Sequence, residues 1–515
     1  MLDDRVDGPV RRRLRSGLPQ PTPARQPSSK WSWERMPRPA HARTHAHRCG
    51  RRCEHETSWK RTIMRASAFL RLARLRVASS PRVRLAVATT ASTTALSLAI
   101  ACDDGLASRC EPLLQQTESN APLLFSWGRL APASDPDTPV RLKTREPIQN
   151  TFWASRGLRI VQFSFGATHG AALDDKGGLW AWGEASGPVP QPLPCGRDNV
   201  TKLASSSGAL YALTSRGRVL EWRDLDASLA ASGTSPPAPP APLGGALSRM
   251  TATSLAAGDN HLLVVGSQGE VAALGDNKYG QLGITPDPES MPCANEAVVL
   301  KTLPKGARVT QAACGAAHSL LLLSDGSVLA FGDDHNLQLG LRARTIKAMK
   351  SGRMSVPTPE RIQLLPRDQK VVGIAAGGGG IEGGHSIFLL HNAAGDGDEL
   401  WACGYGRWGQ LGTKAYTHQS EPAILTGLSR LREYDEVERK VMGVRVVELA
   451  CGERHTAALL ATGNVFVWGW NDHGQLGSGG KQGTHTPTLV KSPPELRFSV
   501  MKHLACGPNS TAVWN

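Results

Sequence analysis

Several short motifs with well-understood chemistry are missing from this sequence. It has no phosphate-binding loop of the Gly-x-x-x-x-Gly-Lys-Ser/Thr type, no Gly-x-Ser-x-Gly nucleophile elbow and no His-Glu-x-x-His zinc motif. The stretch Gly377 to Gly384 is rich in glycine, but no Lys-Ser/Thr pair follows it to hold a phosphate. These absences exclude the enzyme classes that depend on those motifs, and the sequence predicts a non-enzymatic protein without a cofactor.

Cysteine is scarce, at 10 of 515 residues, and the cysteines form no dense framework. A disulfide-stabilised scaffold is therefore not expected. The one His/Cys-rich stretch, from His41 to His55, contains Cys49 and Cys53 at a loose spacing, with no second ligand pair after it. The sequence predicts no metal site.

Acidic residues are scarce only at the front of the chain. Residues 1–84 hold 21 of the 59 Lys and Arg but 6 of the 44 Asp and Glu, so the net charge of +15 lies entirely there. The remaining residues hold 38 of each sign and have no net field that would attract a phosphate backbone. Nucleic acid is therefore not expected as a partner, although a local basic patch is compatible with these counts.

A signature recurs along the rest of the chain. Its first half is small-small-Gly-x-x-His, as at Ala313 to His318 and Ala450 to His455, and an aromatic-Gly pair and a Gln-Leu-Gly tail follow. The His position falls in turn at His169, Ala209, His261, His318, His385, His455 and Ser510. Short apolar runs separated by Gly-containing turns follow each position, which is typical of strands. One His per unit at one position indicates a structural hydrogen bond rather than catalysis.

Seven copies of the signature predict an all-β fold, a seven-bladed β-propeller over residues 123–515. The last copy, from Ala505 to Trp514, lacks its aromatic-Gly half, and an isolated half of this kind occurs at Leu124 to Gly128. We therefore expect the N- and C-terminal segments to share one closing blade.

The pattern resembles the regulator-of-chromosome-condensation repeat family, whose Ala-Cys-Gly-x-x-His-Thr and Trp-Gly-x-Asn-x-x-Gly-Gln-Leu-Gly elements match Ala450 to Gly477. The unit around Ala209 departs from the pattern because it has no His, and the unit before His385 carries extra glycines. The resemblance implies the same seven-bladed fold. Photoreceptor members of the family carry Trp where this chain has Glu453, so that function is set aside.

The first 122 residues precede the repeats. Residues 1–63 are interpreted as a disordered basic arm or as an upstream extension, with Met64 as the initiator. Residues 64–84 contain six Arg and no acid, with Phe69, Leu72 and Leu75 on one helical stripe, which is typical of a mitochondrial presequence. Residues 85–101 are 17 uncharged residues, at the short limit for a single transmembrane anchor, or else part of the cleaved segment. Residues 102–122 are a predicted linker.

Three long connections are candidates for partner binding. Residues 235–245 are rich in Pro and are expected to form an extended loop, and residues 428–442 carry mixed charge and are expected to form a short helix. The basic connection at 341–361 is the predicted partner-docking loop; its cations are Arg342, Arg344, Lys347, Lys350 and Arg353.

Family members differ in function, so the fold alone does not select one. A presequence, an anchor and a propeller resemble the mitochondrial members, in particular fungal inner-membrane proteins. The resulting hypothesis is a scaffold at the mitochondrial inner membrane that binds assembly intermediates of a respiratory complex, with cytochrome bc1 first. The alternative is guanine-nucleotide exchange or scaffolding for a small or ribosome-associated GTPase.

Overall fold

In the computed structural model, the described residues are 123–132, 144–196, 199–232, 240–284, 291–341, 354–366, 369–379, 382–391, 397–435, 439–497 and 499–515. The predicted arm, presequence, anchor and linker lie outside them. In the described part of the chain, no helix combines the length and the apolar character that crossing a bilayer requires.

Strands account for nearly all of the regular structure in these described ranges. The first fourteen are β1 (Leu124–Gly128), β2 (Thr144–Gln149), β3 (Ile160–Phe165), β4 (His169–Asp174), β5 (Leu179–Gly183), β6 (Gly187–Leu193), β7 (Val200–Ser205), β8 (Leu210–Thr214), β9 (Val219–Trp222), β10 (Ala241–Pro242), β11 (Ala252–Ala257), β12 (His261–Gly266), β13 (Val271–Asp276) and β14 (Cys293–Val299).

The second half of the chain continues the pattern. Its strands are β15 (Val309–Cys314), β16 (His318–Leu323), β17 (Val328–Asp333), β18 (Ser355–Arg361), β19 (Lys370–Gly379), β20 (Glu382–His391), β21 (Asp398–Gly404), β22 (Gln419–Ile424), β23 (Arg432–Asp435), β24 (Lys440–Gly443), β25 (Val446–Cys451), β26 (His455–Leu460), β27 (Val465–Gly469), β28 (Thr484–Leu489), β29 (His503–Cys506) and β30 (Ser510–Trp514).

Within the described residues, the helices are few and short. They are α1 (Leu225–Ser232), α2 (Thr426–Ser429), α3 (Pro494–Arg497) and two 3₁₀ turns, Ala154–Arg156 and Gly245–Arg249.

The strands form seven antiparallel four-stranded sheets, which confirms the predicted propeller. Blades 1 to 6 are β3–β6, β7–β10, β11–β14, β15–β18, β19–β22 and β25–β28. In blade 7 the order is β29-β30-β1-β2, and Leu124 pairs with Trp514 across the β30–β1 boundary. The two ends of the described chain therefore share one blade, as the split signature predicted.

Each blade has an inner strand A, then B, C and an outer strand D. In six of the seven blades the B strand is buried along its whole length, as in His318–Leu323 and His455–Leu460, because both faces of the blade pack against neighbouring blades. Between blades 4 and 5, for example, Leu320 and Leu322 pack in one cluster with Ile374 and Phe388. This two-sided burial explains why the B strands are continuous apolar runs rather than alternating ones.

Two sequence interpretations need correction or completion. Residues 428–442 do not form a helix: α2 ends at Ser429, and β23 and β24 then form a hairpin. Tyr434 and Val441 are cross-strand partners in this two-stranded ribbon. In the Pro-rich connection, Ala241–Pro242 forms the outer strand of blade 2, so the unit around Ala209 makes a full blade despite its missing His.

Candidate functional site

The repeat places all its signatures at one end of the propeller. Strand A ends and strand B begins at the Gly-x-x-His segment, and strand C ends at the aromatic-Gly pair before the Gln-Leu-Gly tail. We call this end, formed by the A–B and C–D connections, the signature face. The opposite end, formed by the B–C turns and the D–A connections, is the bulge face.

Four of the signature histidines join neighbouring blades. Their Nε2 atoms lie 3.0 to 3.1 Å from a hydroxyl oxygen of the next blade; the pairs are His261–Ser319, His318–Ser386, His385–Thr456 and His455–Thr511. Each hydroxyl oxygen also lies 2.6 to 2.9 Å from the carbonyl oxygen of the Gln in a Gln-Leu-Gly tail. The predicted structural role of these histidines is confirmed, and the bonds run between blades.

Burial keeps these imidazoles neutral. It lowers the pKa of His261 and His385 to about 4, and that of His318 and His455 to about 3. A neutral ring with a fixed hydroxyl partner is suited to holding blades together and not to proton transfer near neutral pH.

The glycine of each signature makes room for the histidine ring. A Cβ atom on Gly315 would lie 2.1 Å from Cε1 of His318, and one on Gly452 would lie 2.3 Å from Cε1 of His455. Glycine is required in the aromatic-Gly pair for a different reason. Gly469 has φ +114° and lies at an irregularity in the pairing of β27 with β28. Trp468 beside it donates from Nε1 to the Gln410 carbonyl of the preceding blade.

A central cavity of about 350 Å³ opens at the signature face. The ends of all seven inner strands line it with small side chains such as Ala256 and Ala313, and Asp259 and Glu453 lie at its rim. Burial raises the pKa of the lining thiols Cys314 and Cys451 to about 12, so they are protonated. Within the described ranges no group of side chains is arranged to hold a metal ion.

Beside the cavity, blades 5 and 6 carry a cluster of one cation and two indoles, which we call the Arg454 cluster. The Arg454 guanidinium lies 5.5 Å from the ring centre of Trp408 and 5.0 Å from that of Trp470. The two indoles are 6.0 Å apart, and His473 packs edge-on against Trp470 at 5.1 Å. These are cation–π distances.

The Arg454 cluster has unused hydrogen-bonding capacity. Arg454 forms an ion pair with Glu453 at 3.3 Å, but its Nε atom has no hydrogen-bond partner, and neither does Nε1 of Trp408. Both atoms are donors that are shielded from solvent, although Arg454, Trp408 and Trp470 are each partly exposed as residues. Partly exposed Trp and Arg side chains are also the residue types that dominate binding energy at protein interfaces.

Sequence reasoning did not identify this cluster. Its members come from the A–B segment of blade 6 and from the C–D segments of blades 5 and 6. The repeat pattern in the sequence contained the necessary information, because superimposing the repeat units places Arg454 between the two C–D segments. The predicted docking residues Arg342, Arg344, Lys347, Lys350 and Arg353 lie outside the described residues, in the connection between β17 and β18, and their role stays a prediction.

Comparison with known proteins agrees with this geometry. The model of the RCC1-like domain matches residues 124–515. The chain belongs to the RCC1-like family.

Curated relatives of this family member include much longer proteins. Mouse HERC2, an E3 ubiquitin-protein ligase, is 27% identical over 421 residues, which cover 78% of this chain and 8% of HERC2. The ultraviolet-B receptor UVR8 of Arabidopsis thaliana is 26% identical over 372 residues, which cover 68% of this chain and 73% of the receptor. The chain therefore spans less than a tenth of HERC2.

Solved structures agree in fold. Prp20p of Saccharomyces cerevisiae, whose structure was determined together with its binding properties to Gsp1p and histones, has a TM-score of 0.59 at 21% identity, covering 77% of this chain and 92% of Prp20p. Human WBSCR16 has a TM-score of 0.58 at 20% identity, covering 77% of this chain and 99% of WBSCR16. At these identities the likeness establishes the fold alone.

Proposed function

We propose that this RCC1-like propeller is a non-enzymatic scaffold that binds a protein partner at its signature face, through the Arg454 cluster. The observation that carries the proposal is the cation–π cluster itself, in which the Arg454 guanidinium lies 5.5 Å and 5.0 Å from the ring centres of two partly exposed indoles, Trp408 and Trp470. Apolar groups of a partner would cover the rings, and a partner's carboxylate would face the guanidinium.

The finer part of the proposal concerns place and partner. The Arg-rich, acid-free residues 64–84 support import into mitochondria, and the uncharged residues 85–101 support attachment to the inner membrane. The partner proposed there is an assembly intermediate of a respiratory complex, with cytochrome bc1 first.

Affinity capture from isolated mitochondria tests both parts. The chain from Met64 to Asn515 is expressed with a C-terminal tag. Mitochondria are then fractionated with carbonate extraction and protease protection, and captured proteins are quantified. We expect Trp408→Ala and Arg454→Ala to reduce partner recovery about tenfold or more, which corresponds to losing about 1.4 kcal/mol.

Tyr279→Ala is the matched control, because Tyr279 in blade 3 occupies the repeat position of Trp408. Equal recovery with all variants would exclude the Arg454 cluster as the docking site. Recovery of the wild-type chain in the nucleus or cytosol would exclude the mitochondrial proposal and leave the docking proposal standing.

A second function is favoured by one observation, the hairpin β23–β24, which is an additional element in the connection between blades 5 and 6 at the bulge face. Prp20p was studied for its binding to Gsp1p and histones, and an additional element that contacts a nucleotide-binding partner would suit exchange or scaffolding on a small or ribosome-associated GTPase. Release of fluorescent GDP from such a GTPase, with the wild-type chain and with the hairpin replaced by a Gly-Ser turn, tests it. A rate that the chain does not change would rule exchange out.

A further inference from the structure

The bulge face has its own repeated feature. Near the start of six inner strands, the pairing with strand B shifts by one residue, which leaves one extra residue in the strand. In chain order these residues are Val161, Thr201, Thr253, Thr310, Val372 and Val447.

In blades 2, 3 and 4 the extra residue is threonine, and its hydroxyl has a clear role. Thr201, Thr253 and Thr310 each donate to a carbonyl of the neighbouring B strand at 3.1 to 3.2 Å. The site therefore accommodates a β-branched side chain and offers it an acceptor.

In blades 1, 5 and 6 the residue is valine, which has no hydroxyl to use that acceptor. Val161, Val372 and Val447 have exposed fractions of 42%, 51% and 51%. Val500, just before β29 in blade 7, has an exposed fraction of 58%. Because blades 5, 6, 7 and 1 are consecutive around the ring, these exposed valines form an arc at one side of the bulge face, which we call the valine arc.

Each valine of the arc has a cation two residues away. Arg159, Lys370 and Arg445 precede Val161, Val372 and Val447, and all three are exposed. The backbone at two of these cations is held in place, because the carbonyl of Arg159 accepts from the first residue of its B–C turn at 2.8 Å and that of Arg445 does so at 2.9 Å. Exposed Lys502 follows Val500 at the same spacing.

The hairpin β23–β24 adds to the same side. Tyr434 and Val441 are cross-strand partners with exposed fractions of 61% and 65%, and exposed Arg432 and Lys440 lie beside them in the strands. Glu433 holds the hairpin against the B–C turn of blade 6, since its carboxylate accepts hydrogen bonds from that turn at 3.3 Å.

The bulge face carries charges of both signs with an excess of positive charge. Along the full sequence, the segments that connect strands at this end hold 19 Lys and Arg against 11 Asp and Glu. The neutral total for residues 85–515 therefore conceals a basic end.

We propose that the bulge face binds to the surface of an anionic membrane, with the valine arc and Tyr434 entering the headgroup region and the neighbouring cations contacting lipid phosphates. Single exposed apolar side chains, each beside a cation, suit a membrane surface, where the acyl chains are apolar and the headgroups are anionic. Tyr is a residue type that settles at the headgroup level. A nucleic acid would use the cations but gain nothing from exposed valines. This site is separate from the Arg454 cluster, so either proposal can fail alone.

Vesicle co-sedimentation with the full chain tests the proposal, and blades 2, 3 and 4 supply the matched variants. The first variant is Val161→Thr with Val372→Thr and Val447→Thr, in which each new hydroxyl faces the acceptor that threonine uses in the other blades. The reciprocal control is Thr201→Val with Thr253→Val and Thr310→Val. All variants share residues 1–122, so any contribution of that segment cancels.

The probes are vesicles of phosphatidylcholine alone and of phosphatidylcholine with about 30 mol% phosphatidylserine. We expect stronger binding of the wild-type chain to the anionic vesicles, and about tenfold weaker binding of the Val→Thr variant to them, with an unchanged thermal midpoint. The reciprocal control should bind no more weakly than the wild-type chain. A second variant, Arg159→Glu with Lys370→Glu and Arg445→Glu, should abolish the preference for anionic lipid.

Three results would overturn the proposal. One is equal binding of the wild-type chain and the Val→Thr variant. Another is binding that is the same with and without phosphatidylserine. The third is a pair of results: duplex DNA displaces the vesicles, and the valine substitutions leave DNA binding unchanged. That pair would assign the face to nucleic acid.

Discussion

Nε2 of His385 lies 3.1 Å from the hydroxyl oxygen of Thr456, across the boundary between blades 5 and 6. Nδ1 of His385 lies 2.8 Å from the Gly383 carbonyl, so it carries the ring proton, and Nε2 accepts from the Thr456 hydroxyl. The Gln410 carbonyl, which is also near that hydroxyl, has its own donor in Nε1 of Trp468. Both side chains are fully buried, so water cannot replace the bond between them.

Replacing Thr456 with valine should therefore destabilise the propeller. The change keeps the shape of the side chain and removes the hydroxyl that is bonded to Nε2 of His385, so we expect the free energy of unfolding to fall by about 1–3 kcal/mol. Urea denaturation of the full chain measures it. Thr488→Val, at an exposed position, is the control and should change stability by less than about 0.5 kcal/mol. Equal effects would show that the inter-blade bond contributes nothing.

His169 and His318 form a second matched pair. Both are buried signature histidines, but His318 is bonded to Ser386, whereas Leu210 stands at the equivalent place opposite His169. Neither ring nitrogen of His169 has a hydrogen-bond partner. We expect His318→Leu to lower the free energy of unfolding by about 1 kcal/mol more than His169→Leu, because only the former breaks a hydrogen bond. Comparable losses in paired denaturation curves would contradict this.

The repeat made the propeller predictable, because the spacing of its signatures reports strand order without any knowledge of contacts. The closing blade was predictable for the same reason, since the half-signature missing before Asn515 is present at Leu124 to Gly128. The hairpin at 432–443 was missed because its four-residue strands are too short to show a period and its charges resemble those of a surface helix.

The two binding surfaces could be predicted only in part. Arg454, Trp408 and Trp470 are far apart in the chain, and only superposition of the repeat units brings them together. The valine arc was hidden for a different reason, since Val161, Val372 and Val447 follow another apolar residue and look like ordinary core positions. The bulge that turns each of them outward is a property of the pairing between strands and not of the local sequence.

Gly452 tests the packing of the signature itself. A Cβ atom there would lie 2.3 Å from Cε1 of His455 and 2.4 Å from the Gly507 carbonyl oxygen of the next blade. Neither neighbouring atom is at the end of a flexible side chain, so Gly452→Ala should lower the free energy of unfolding by about 1–3 kcal/mol. Gly480→Ala is the control, because its Cβ would meet nothing closer than 3.9 Å. A Gly452→Ala variant as stable as the wild-type chain would mean that the His455 imidazole and the next blade can move apart to make room for the methyl group.

The buried histidines also predict how stability depends on pH. Their folded-state pKa values of about 3 to 4 lie below the value of 6.5 for an unpaired histidine, so below pH 6.5 the unfolded chain binds more protons than the folded chain. Their contribution is complete above pH 6.5 and is lost as the pH falls towards 4. Between pH 6.5 and about 4, each buried histidine should lower the free energy of unfolding by about 1.4 kcal/mol for each unit by which the pH falls.

Urea denaturation at several pH values between 7 and 5 measures this slope. Substituting a histidine separates its contribution from that of the carboxylates, which titrate at lower pH. His455→Asn removes one titrating ring, so its free energy of unfolding should fall by about 1.4 kcal/mol less per pH unit than that of the wild-type chain, even though the variant is less stable at pH 7. Parallel curves for the two proteins would mean that His455 is protonated in the folded state. That would require an acceptor for its Nδ1 atom, which has no hydrogen-bond partner in the structure.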